Sequence, residues 1–371
     1  MSVVKFSEVA HRANTKEDRF NTDKIYYVGG EHIEPGELFI HDKGFIKGST
    51  IGPMFYCGFK SGQILFVTRN PHLRKCSVAE FDGICSEKTF VIETIDKRIL
   101  LQEYLASVML SDDFWNYCEE NKSGGVNYFL NWSTLADYEF ELPSVEEQKA
   151  ISDKVWAAYR LKESYKKLLA ATEEMVQSQF IEMIGDPVSW QTDTSLPTLN
   201  DTVIVISGFP FDSEKFDTEG VGTPLIRIRD IQRGYSETFT TEVFDEQYRI
   251  KKYELLVGMD GMFDIARWQS DEAALNQRVC CLRMKGSEND TFIQYLVQPI
   301  LKHIENGTNA TTVKHISTKQ INGIRVPIAS HEQKNKFAMI ANQADKSGSG
   351  GRESVALMGK VKKSLINYYN I

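Results

Sequence analysis

The sequence predicts a mixed α/β chain made of two similar halves, each a globular part followed by a long helix. Three observations lead to this prediction: a repeated motif, helical periodicity after each copy of it, and strand-like segments in a similar order before it. The chain has 371 residues, of which 42% are hydrophobic, enough for two or three domains with cores of their own. No apolar run approaches the ~20 residues that a membrane helix needs.

The repeat consists of a Ser-Thr pair, a proline ten residues after the serine, and a Glu-Gln-Lys run. Ser133 and Pro143 recur 184 positions later as Ser317 and Pro327, and Gln148 recurs 185 positions later. One inserted residue accounts for the difference. Because a motif of this quality precedes a helical pattern each time, the chain is predicted to contain two copies of one unit.

The first long helix is predicted from Ser144 to Ile184. Ser144 can cap it with Glu147 as the capping-box partner, and the Gly and Pro that follow residue 184 end it. Apolar residues recur along it mostly at steps of three and four: Ile151, Val155, Tyr159, Tyr165, Leu168, Leu169, Thr172, Val176 and Phe180. At 1.5 Å per residue the helix is about 60 Å long. A partner helix is therefore expected to cover this stripe.

The second half ends with a matching helix. Two complementary seven-residue series predict a coiled-coil seam, one with Phe337, Ala344, Met358 and Leu365 and the other with Ile340, Val361 and Tyr368. The segment 346–351 (KSGSGG) interrupts this helix with three glycines, each costing about 1 kcal/mol relative to Ala. It is either a loosened part of one helix or a flexible joint, natural or engineered. The unbroken seven-residue phase favours one helix.

The globular parts share a coarse pattern. Strand-like segments are 26–28, 61–67 and 85–92 in the first half and 225–228, 253–257 and 276–282 in the second. Short helices (100–110 and 291–304) and polar loops (122–128 and 306–315) follow them. The predicted domains are therefore 1–142 and 187–328 for the globular parts, and 143–186 and 329–371 for the helices.

Composition and motifs exclude several classes of protein. No signal-peptide pattern opens the chain, so we expect a cytoplasmic protein. The six cysteines show no Cys-x-x-Cys spacing, which argues against a zinc site or a disulfide scaffold. No phosphate-binding glycine loop and no nucleophile–base pair is found, so no cofactor, metal or catalytic site is predicted. The net charge of −8 argues mildly against nucleic acid, although a basic face can lie on an acidic molecule.

Basic, polar and aromatic residues gather instead in the loops of the globular parts. Arg, Asn and Gln form bidentate contacts with base edges, and Lys and Arg bind phosphates. The first-half candidates for DNA binding are Lys43, Lys47, Lys60, Arg69, His72, Arg74, Lys75, Asn127 and Tyr128, with Lys122 beside them. The second-half candidates are Arg227, Arg229, Arg233, Tyr235, Arg267, Trp268, Gln269, Thr308, Asn309 and Lys314, with 276–278 beside them. Taken singly, each is more often a solvated residue or half of a salt bridge. The duplicated set favours DNA binding.

Four segments carry a resemblance to a known family. They are 142–149 (LPSVEEQK), 327–334 (PIASHEQK), 255–263 (LLVGMDGMF) and 275–279 (LNQRV). In these segments the chain resembles the specificity (S) subunit of Type I restriction-modification systems. The Met-Asp-Gly string is absent from the first half, where 67–70 (VTRN) takes its place.

The resemblance implies two pseudo-twofold-related α/β target recognition domains, each recognising one half of a split sequence in double-stranded DNA. It implies that two long antiparallel helices form a coiled coil between them and dock methyltransferase (M) subunits, through which the restriction (R) subunit joins. The chain itself would then perform no chemistry. Two recognition domains roughly one duplex turn apart, ~34 Å, would approach the same face of DNA. A stand-alone methyltransferase or nuclease and a coiled-coil assembly adaptor are the alternatives.

Overall fold

A computed structural model describes residues 2–286, 290–307 and 314–368, and the chain divides into two compact units. Unit 1 comprises residues 1–167 and 351–371, and unit 2 comprises residues 168–350. Each unit therefore combines one globular part with portions of both long helices. Within the described ranges, no helix has the length and apolar character needed to cross a bilayer.

The secondary structure alternates short strands with short helices before each long helix. The first half contains β1 (Ser2–Lys5), α1 (Phe6–Val9), β2 (Ala10–Ala13), β3 (Thr15–Lys16), β4 (Tyr26–Val28), β5 (Gly44–Phe45), β6 (Phe55–Phe59), β7 (Ile64–Val67), β8 (Cys76–Val78), β9 (Gly83–Ser86), β10 (Thr89–Thr94), α2 (Gln102–Val108), α3 (Asp112–Glu120), α4 (Trp132–Ala136), β11 (Glu139–Leu142) and α5 (Val145–Met183). The second half contains α6 (Leu199–Thr202), β12 (Val203–Ser207), β13 (Phe216–Asp217), β14 (Thr223–Ile226), β15 (Phe239–Thr240), β16 (Arg249–Ile250), β17 (Leu255–Gly258), β18 (Ile265–Arg267), β19 (Ala273–Leu275), β20 (Val279–Met284), α7 (Asp290–Gly307), α8 (Thr318–Asn322) and α9 (His331–Tyr368).

The two globular parts have the same sheet architecture. Unit 1 has a four-stranded antiparallel sheet in the order β2-β10-β7-β8, and unit 2 has one in the order β12-β20-β17-β18. Each unit also has a five-stranded sheet with one parallel pair, which is β4 with β9 in unit 1 and β14 with β19 in unit 2. The mixed α/β fold is therefore confirmed, and its repeated topology is the structural counterpart of the sequence repeat.

Each unit buries its own apolar core. In unit 1 the ring of Phe66 on β7 packs against Phe114 and Trp115 of α3, with centroids 6.0 and 5.5 Å apart. In unit 2 the fully buried Phe292 and Leu296 of α7 belong to one cluster with Leu255 of β17. Burying such a side chain contributes about 1.5–3 kcal/mol relative to leaving it exposed. The four-stranded sheets are thereby fixed against helices, and their strand ends are held in place.

The long helices begin and end close to where the sequence predicts. Helix α5 spans Val145–Met183, within one residue of the predicted bounds at each end. The predicted capping box is present, because Ser144 N donates to the Glu147 carboxylate at 3.0 Å and Glu147 N donates to Ser144 Oγ at 3.3 Å. Helix α9 runs from His331 to Tyr368 without a break, so the glycine-rich segment 346–351 is helical rather than a flexible joint.

The repeated glutamine of the Glu-Gln-Lys motif has a different role in each half. The Gln148 side chain is buried, accepts a hydrogen bond from Leu101 N at 2.9 Å and donates to Ile99 O at 2.8 Å. Gln333 instead caps α9, because Ser330 N donates to its Oε1 at 3.0 Å. The structural counterpart of Gln333 is therefore Glu147, and the alignment by letters is off by one residue here.

Within each unit, the beginning of one long helix packs near the end of the other. In unit 1, Tyr159 of α5 and Ile366 of α9 lie in the same buried cluster. In unit 2, the rings of Phe180 and Phe337 meet edge to face with centroids 4.9 Å apart. Both arrangements are those of antiparallel helices. One predicted member of the stripe is wrong: Leu168 is 60% exposed, because it lies about 100° around the helix from its half-buried neighbour Leu169.

Candidate nucleic-acid interface

In each unit, three loops meet beyond the end of a central strand of the four-stranded sheet. In unit 1 they are residues 68–70 after β7, Lys88 before β10, and residues 128–130. We call this set the first loop cluster. In unit 2 the corresponding residues are 259–261 after β17, Arg278 before β20, and 314–316, which we call the second loop cluster.

Three backbone hydrogen bonds hold the first loop cluster together. Thr68 N donates to Lys88 O at 2.9 Å, and Leu130 N donates to Thr68 O at 2.9 Å. Asn70 N donates to Tyr128 O at 2.9 Å. These bonds join residues that are 20 to 62 positions apart in the chain.

The second loop cluster repeats these bonds one for one. Met259 N donates to Arg278 O at 2.8 Å, and Ile316 N donates to Met259 O at 2.9 Å. Gly261 N donates to Lys314 O at 2.9 Å. The two clusters therefore share one backbone frame, which makes their side chains comparable position by position.

The first loop cluster contains the predicted DNA-binding residues Arg69 and Tyr128, and two more, His72 and Asn127, lie within two positions of it in the chain. Arg69 is exposed, and its guanidinium lies 5.3 Å from the centre of the Phe129 ring. Asn127 and His72 are exposed at the same loops, and Tyr128 is half-buried. Hydrogen-bond donors and flat rings on one surface suit contacts with base edges and stacked bases.

Lys122 and Lys88 add ammonium groups to the first loop cluster. Lys122 Nζ lies 4.5 Å from the centre of the Tyr128 ring and 2.6 Å from the Glu119 carboxylate. Lys88 Nζ lies 2.7 Å from a carboxylate oxygen of Glu87. Hydrogen bonds from Lys88 and from the Tyr56 hydroxyl hold the pKa of Glu87 below its ordinary value, so this carboxylate stays ionised at neutral pH.

The second loop cluster is built around the carboxylate of Asp260, which is not among the residues that the sequence predicts to bind DNA. Asp260 lies 3.4 Å from Arg278 Nε through one oxygen and 2.5 Å from His315 Nδ1 through the other. Of the second-half residues predicted to bind DNA, Lys314 belongs to this cluster, as does Arg278 from the adjoining segment 276–278; the Lys314 ammonium donates to Glu305 O at 2.6 Å. The Met-Asp-Gly string, which carried the family resemblance, was the signal that could have identified Asp260.

The arginine-rich segment after β14, residues 227–235, lies beside the second loop cluster. A methyl group built on Gly258, the last residue of β17, would lie 3.3 Å from Ile231 and 3.4 Å from Ile228, so the segment packs on the strand end. Its candidates are at the surface: Arg227, Arg229, Arg233 and Tyr235. Gln269 is exposed. It lies next to this segment, since its backbone N–H donates to Gly234 O at 3.2 Å.

Two predicted contacts belong to the interior of unit 2, and these predictions are corrected. Trp268 is fully buried, and its Nε1–H donates to Asp271 O at 2.7 Å. Arg267 binds Asp290 through both terminal nitrogens at 2.6 and 2.8 Å, with its side chain 19% exposed. Arg267 also pairs with Leu255, at the opposite end of β17 from the second loop cluster. Arg267 thus joins β18 to α7, whereas Trp268 packs in the core of unit 2, and neither offers a free group to a ligand.

Several first-half candidates are engaged elsewhere in unit 1. Arg74 lies 2.6 Å from Asp112, and Lys75 Nζ donates to Gly30 O at 2.5 Å. Lys43 Nζ lies 4.1 and 4.2 Å from the centres of two aromatic rings. Lys60 lines a cleft of about 460 Å³ at the opposite end of β7 from the first loop cluster. The structure thus does not bring the whole predicted set onto one patch.

The three other predicted DNA-binding residues are Lys47, Thr308 and Asn309. Lys47 is exposed, whereas Thr308 and Asn309 lie outside the described residues. Over residues 2–286, 290–307 and 314–368, no group of His, Cys, Asp and Glu has an arrangement that could hold a metal ion.

Fold and loop clusters together define a duplicated protein, in which two α/β units of one design present different side chains on one backbone frame. Residues 198–347 match the family model described as the Type I restriction modification DNA specificity domain. The chain is 30% identical over 160 residues to the Type I restriction enzyme EcoBI specificity subunit of Escherichia coli, a match that covers 43% of this chain and 33% of that protein. It is thus aligned with about a third of the length of that relative.

A second relative extends the similarity along almost the whole chain. The Type I restriction enzyme MjaIX specificity subunit of Methanocaldococcus jannaschii is 22% identical over 395 residues, covering 95% of this chain and 84% of that protein. A crystal structure of a Type I restriction-modification system S subunit from M. genitalium shares the fold, with a TM-score of 0.57 at 14% identity over 98% of this chain and 94% of that chain. The chain is therefore similar to Type I restriction-modification specificity subunits along almost its whole length, and residues 198–347 match the model of their DNA specificity domain, which confirms the resemblance drawn from its motifs.

Proposed function

We propose that this chain is the DNA sequence-recognition subunit of a Type I restriction-modification complex and binds a split target in double-stranded DNA. The observation that carries the proposal is the duplicated loop cluster, with the same backbone bonds in both units and different side chains at equivalent positions. Two recognition surfaces of one design with different side chains suit a target with two unlike halves.

The exposed residues of each unit have the chemistry that DNA recognition needs. Donors such as Arg, Asn and Gln select base edges, and Lys and Arg neutralise phosphates. In unit 1 the proposed DNA-binding residues are Arg69, His72, Asn127 and Tyr128 at the first loop cluster, together with the exposed Lys47. In unit 2 they are Arg227, Arg229, Arg233, Tyr235, Gln269 and Lys314. An acidic chain can bind DNA in this way when partner subunits complete the contact.

The proposal includes M subunits as partners that dock on the long helices, with the R subunit joining through the complex and no catalysis by this chain. Exposed apolar side chains on these helices support it. On α5, Leu161, Leu168 and Met175 recur every seven residues and are 44%, 60% and 50% exposed. A helix face of this kind is unusual unless another protein covers it. The proposed place of action is the cytoplasm.

A domain exchange tests the recognition role. Residues 190–328 are replaced by the matching segment of another specificity subunit, and the methylated sequences of a host that expresses the exchanged chain with M subunits are mapped. We expect the second half of the target to change and the first half to stay. An unchanged second half would contradict the assignment of recognition to this segment.

Two further measurements test the partners and the absence of chemistry. Leu168→Glu should abolish co-purification with the M subunit, whereas Lys167→Glu, which changes an exposed neighbouring residue on a different face of the same helix, should preserve it.

The purified chain with DNA, S-adenosylmethionine and magnesium should show no turnover. Turnover in the absence of other subunits would favour a stand-alone enzyme instead.

A further inference from the structure

We infer that Lys88 and Arg278 form a duplicated binding site for the DNA backbone, one in each unit, whose ligand is a phosphodiester group rather than a base. This inference rests on the proposed function. The observation behind it is that the residue immediately before the strand paired with β7 or β17 is basic in both units. It is Lys88 before β10 in unit 1 and Arg278 before β20 in unit 2. Other positions on the same frame differ between the units.

The backbone holds the two basic residues in equivalent places. Lys88 O accepts hydrogen bonds from Thr68 N at 2.9 Å and from Thr68 Oγ1 at 2.8 Å. Arg278 O accepts the equivalent bond from Met259 N at 2.8 Å. Arg278 also has a φ of 74°, a left-handed conformation that is costly for a residue with a side chain and persists only where the surroundings impose it. Lys88 does not share this conformation, so the equivalence of the two residues rests on the hydrogen bonds of their carbonyl groups.

The neighbouring positions show the opposite behaviour. Arg69 of the first loop cluster is replaced by Asp260 in the second, a reversal of charge, and Phe129 is replaced by His315. Base edges differ from one target to another, so residues that recognise them must differ too. A phosphate is the same at every nucleotide. A position that stays basic while its neighbours change is therefore expected to bind phosphate.

The Arg278 side chain is arranged for such a ligand. Asp260 lies 3.4 Å from its Nε, and the side chain is 55% exposed. Among the residues that the structure describes, no acceptor is recorded for the two terminal nitrogens of Arg278. His315 holds the other oxygen of Asp260, which keeps the carboxylate in position. Two parallel N–H groups from an oriented guanidinium match two oxygens of a phosphate.

Lys88 offers the equivalent group in unit 1. Its ammonium lies 2.7 Å from Glu87, and the side chain is 43% exposed. The Tyr56 hydroxyl donates to the same carboxylate at 3.0 Å, which fixes the position of Glu87. An ammonium group has three donors, and lysine binds phosphate as a point charge without the geometry that base recognition requires. The change from Arg to Lys between the units is compatible with a phosphate ligand.

Binding of the full chain to two labelled duplexes tests the inference, one with the complete target and one with its second half scrambled. Arg278→Gln should weaken binding to both by the same factor, about tenfold. It should also reduce the slope of log Kd against log salt by about 1. Lys88→Gln should behave in the same way. Arg278→Lys, which keeps the positive charge, should retain most of the wild-type affinity for both duplexes. Circular dichroism confirms that each variant is folded.

Arg98→Gln is the matched control. It removes one positive charge from an exposed residue beyond the opposite end of β10 from Lys88, so affinity and slope should stay as in the wild type. A change in preference between the duplexes at constant slope would show that Arg278 recognises a base, which overturns the inference. Unchanged affinity and slope in Arg278→Gln would overturn it as well, while a preserved preference for the target leaves the proposed function intact. If the wild type shows no such preference, the proposed function fails, and the salt slope still decides the phosphate site.

Discussion

The carboxylate of Glu37 and the ammonium group of Lys162 lie 2.7 Å apart, and this pair joins the globular part of unit 1 to helix α5. Lys166 contacts the same carboxylate at 3.3 Å. One turn before Lys162, the Tyr159 hydroxyl donates to Gly36 O at 3.1 Å. The Glu37 side chain is only 12% exposed, so the attachment of the helix depends on a carboxylate that is largely removed from water.

Replacing Glu37 should destabilise unit 1 in a pH-dependent way. Burial raises the pKa of Glu37, but bonds from Lys162 and Lys166 outweigh it and leave the pKa below its ordinary value of 4.5. A lowered pKa contributes stability above the unfolded-state pKa, and this stability is lost as the pH falls through the folded-state pKa. Glu37→Gln should therefore lower the free energy of unfolding by about 1–3 kcal/mol at pH 7, and by less below pH 4.5.

Urea unfolding at pH 7 and at pH 3.5 measures this difference. Glu80→Gln is the matched control, because Glu80 and its partner Arg160 are 50% and 59% exposed, and such pairs contribute about 0–1 kcal/mol. Equal losses for the two variants at pH 7 would contradict the role given to Glu37.

Replacing Arg267 should affect stability and not DNA binding. Arg267→Gln loses the bidentate contact with Asp290, which should cost about 1–3 kcal/mol, since the partner carboxylate is left 37% exposed and poorly paired. The Kd of the folded fraction for target DNA should stay unchanged. Thermal unfolding and DNA titration of the same preparation check both statements. Weaker binding to DNA with unchanged stability would show that Arg267 contacts DNA.

One glycine of the helical segment 346–351 should accept alanine with a gain in stability. A Cβ built on Gly350 meets no atom within 4 Å, and the residue is exposed within α9. Gly350→Ala should raise the free energy of unfolding by about 0.5–1 kcal/mol, because alanine restricts the unfolded chain and favours the helix. Gly348→Ala is the contrast, because Gly348 is buried. A loss of stability in Gly350→Ala would argue against a continuous helix.

Cys57 should be the first cysteine of the native chain to be alkylated. A hydrogen bond from the Cys85 thiol holds the pKa of Cys57 below its ordinary value, with burial opposing and Arg12 assisting. Burial raises the pKa of Cys280 to about 12. Because the thiolate is the reactive form, iodoacetamide at pH 7.5 should label Cys57 before Cys280, as peptide mass spectrometry would show. Cys85→Ala should slow this labelling, and equal rates would refute the prediction.

The length of the long helices should set the spacing of the DNA target. Inserting four residues, about one helical turn, into both α5 and α9 lengthens each by about 6 Å. The spacer between the half-sites should grow by about two base pairs, and the half-sites themselves should stay the same. Sequencing of methylated sites in a host expressing the longer chain with M subunits measures the spacer. An unaltered spacer would show that the helices do not set this distance.

The helices were predictable because their signals are local. The capping box of Ser144 and Glu147 and the periodicity of α5 depend on residues a few positions apart, and the predicted bounds agree with Val145–Met183. The seven-residue phase across 346–351 likewise predicted the continuity of α9 despite three glycines. Packing of the helix face outweighed the low helix propensity of glycine.

The interface was only partly predictable because it depends on which loops meet. Arg267 and Trp268 fit the pattern of a basic and aromatic DNA-binding loop, but the structure uses them for an ion pair and for the core. Asp260 lies in the Met-Asp-Gly string, but no local signal pointed to its contact with His315. Their contact joins residues more than fifty positions apart, and nothing in either neighbourhood specifies that pairing.

The duplicated plan, the positions of the long helices and the similarity to specificity subunits follow from the order of residues alone, since repeats, caps and periodicity act over short distances. The equivalence of Lys88 and Arg278, and the loss of Arg267 to an ion pair, are decided by the folded chain. Hydrogen bonds between distant segments place these side chains. Such bonds form only after the sheets have brought the strand ends together.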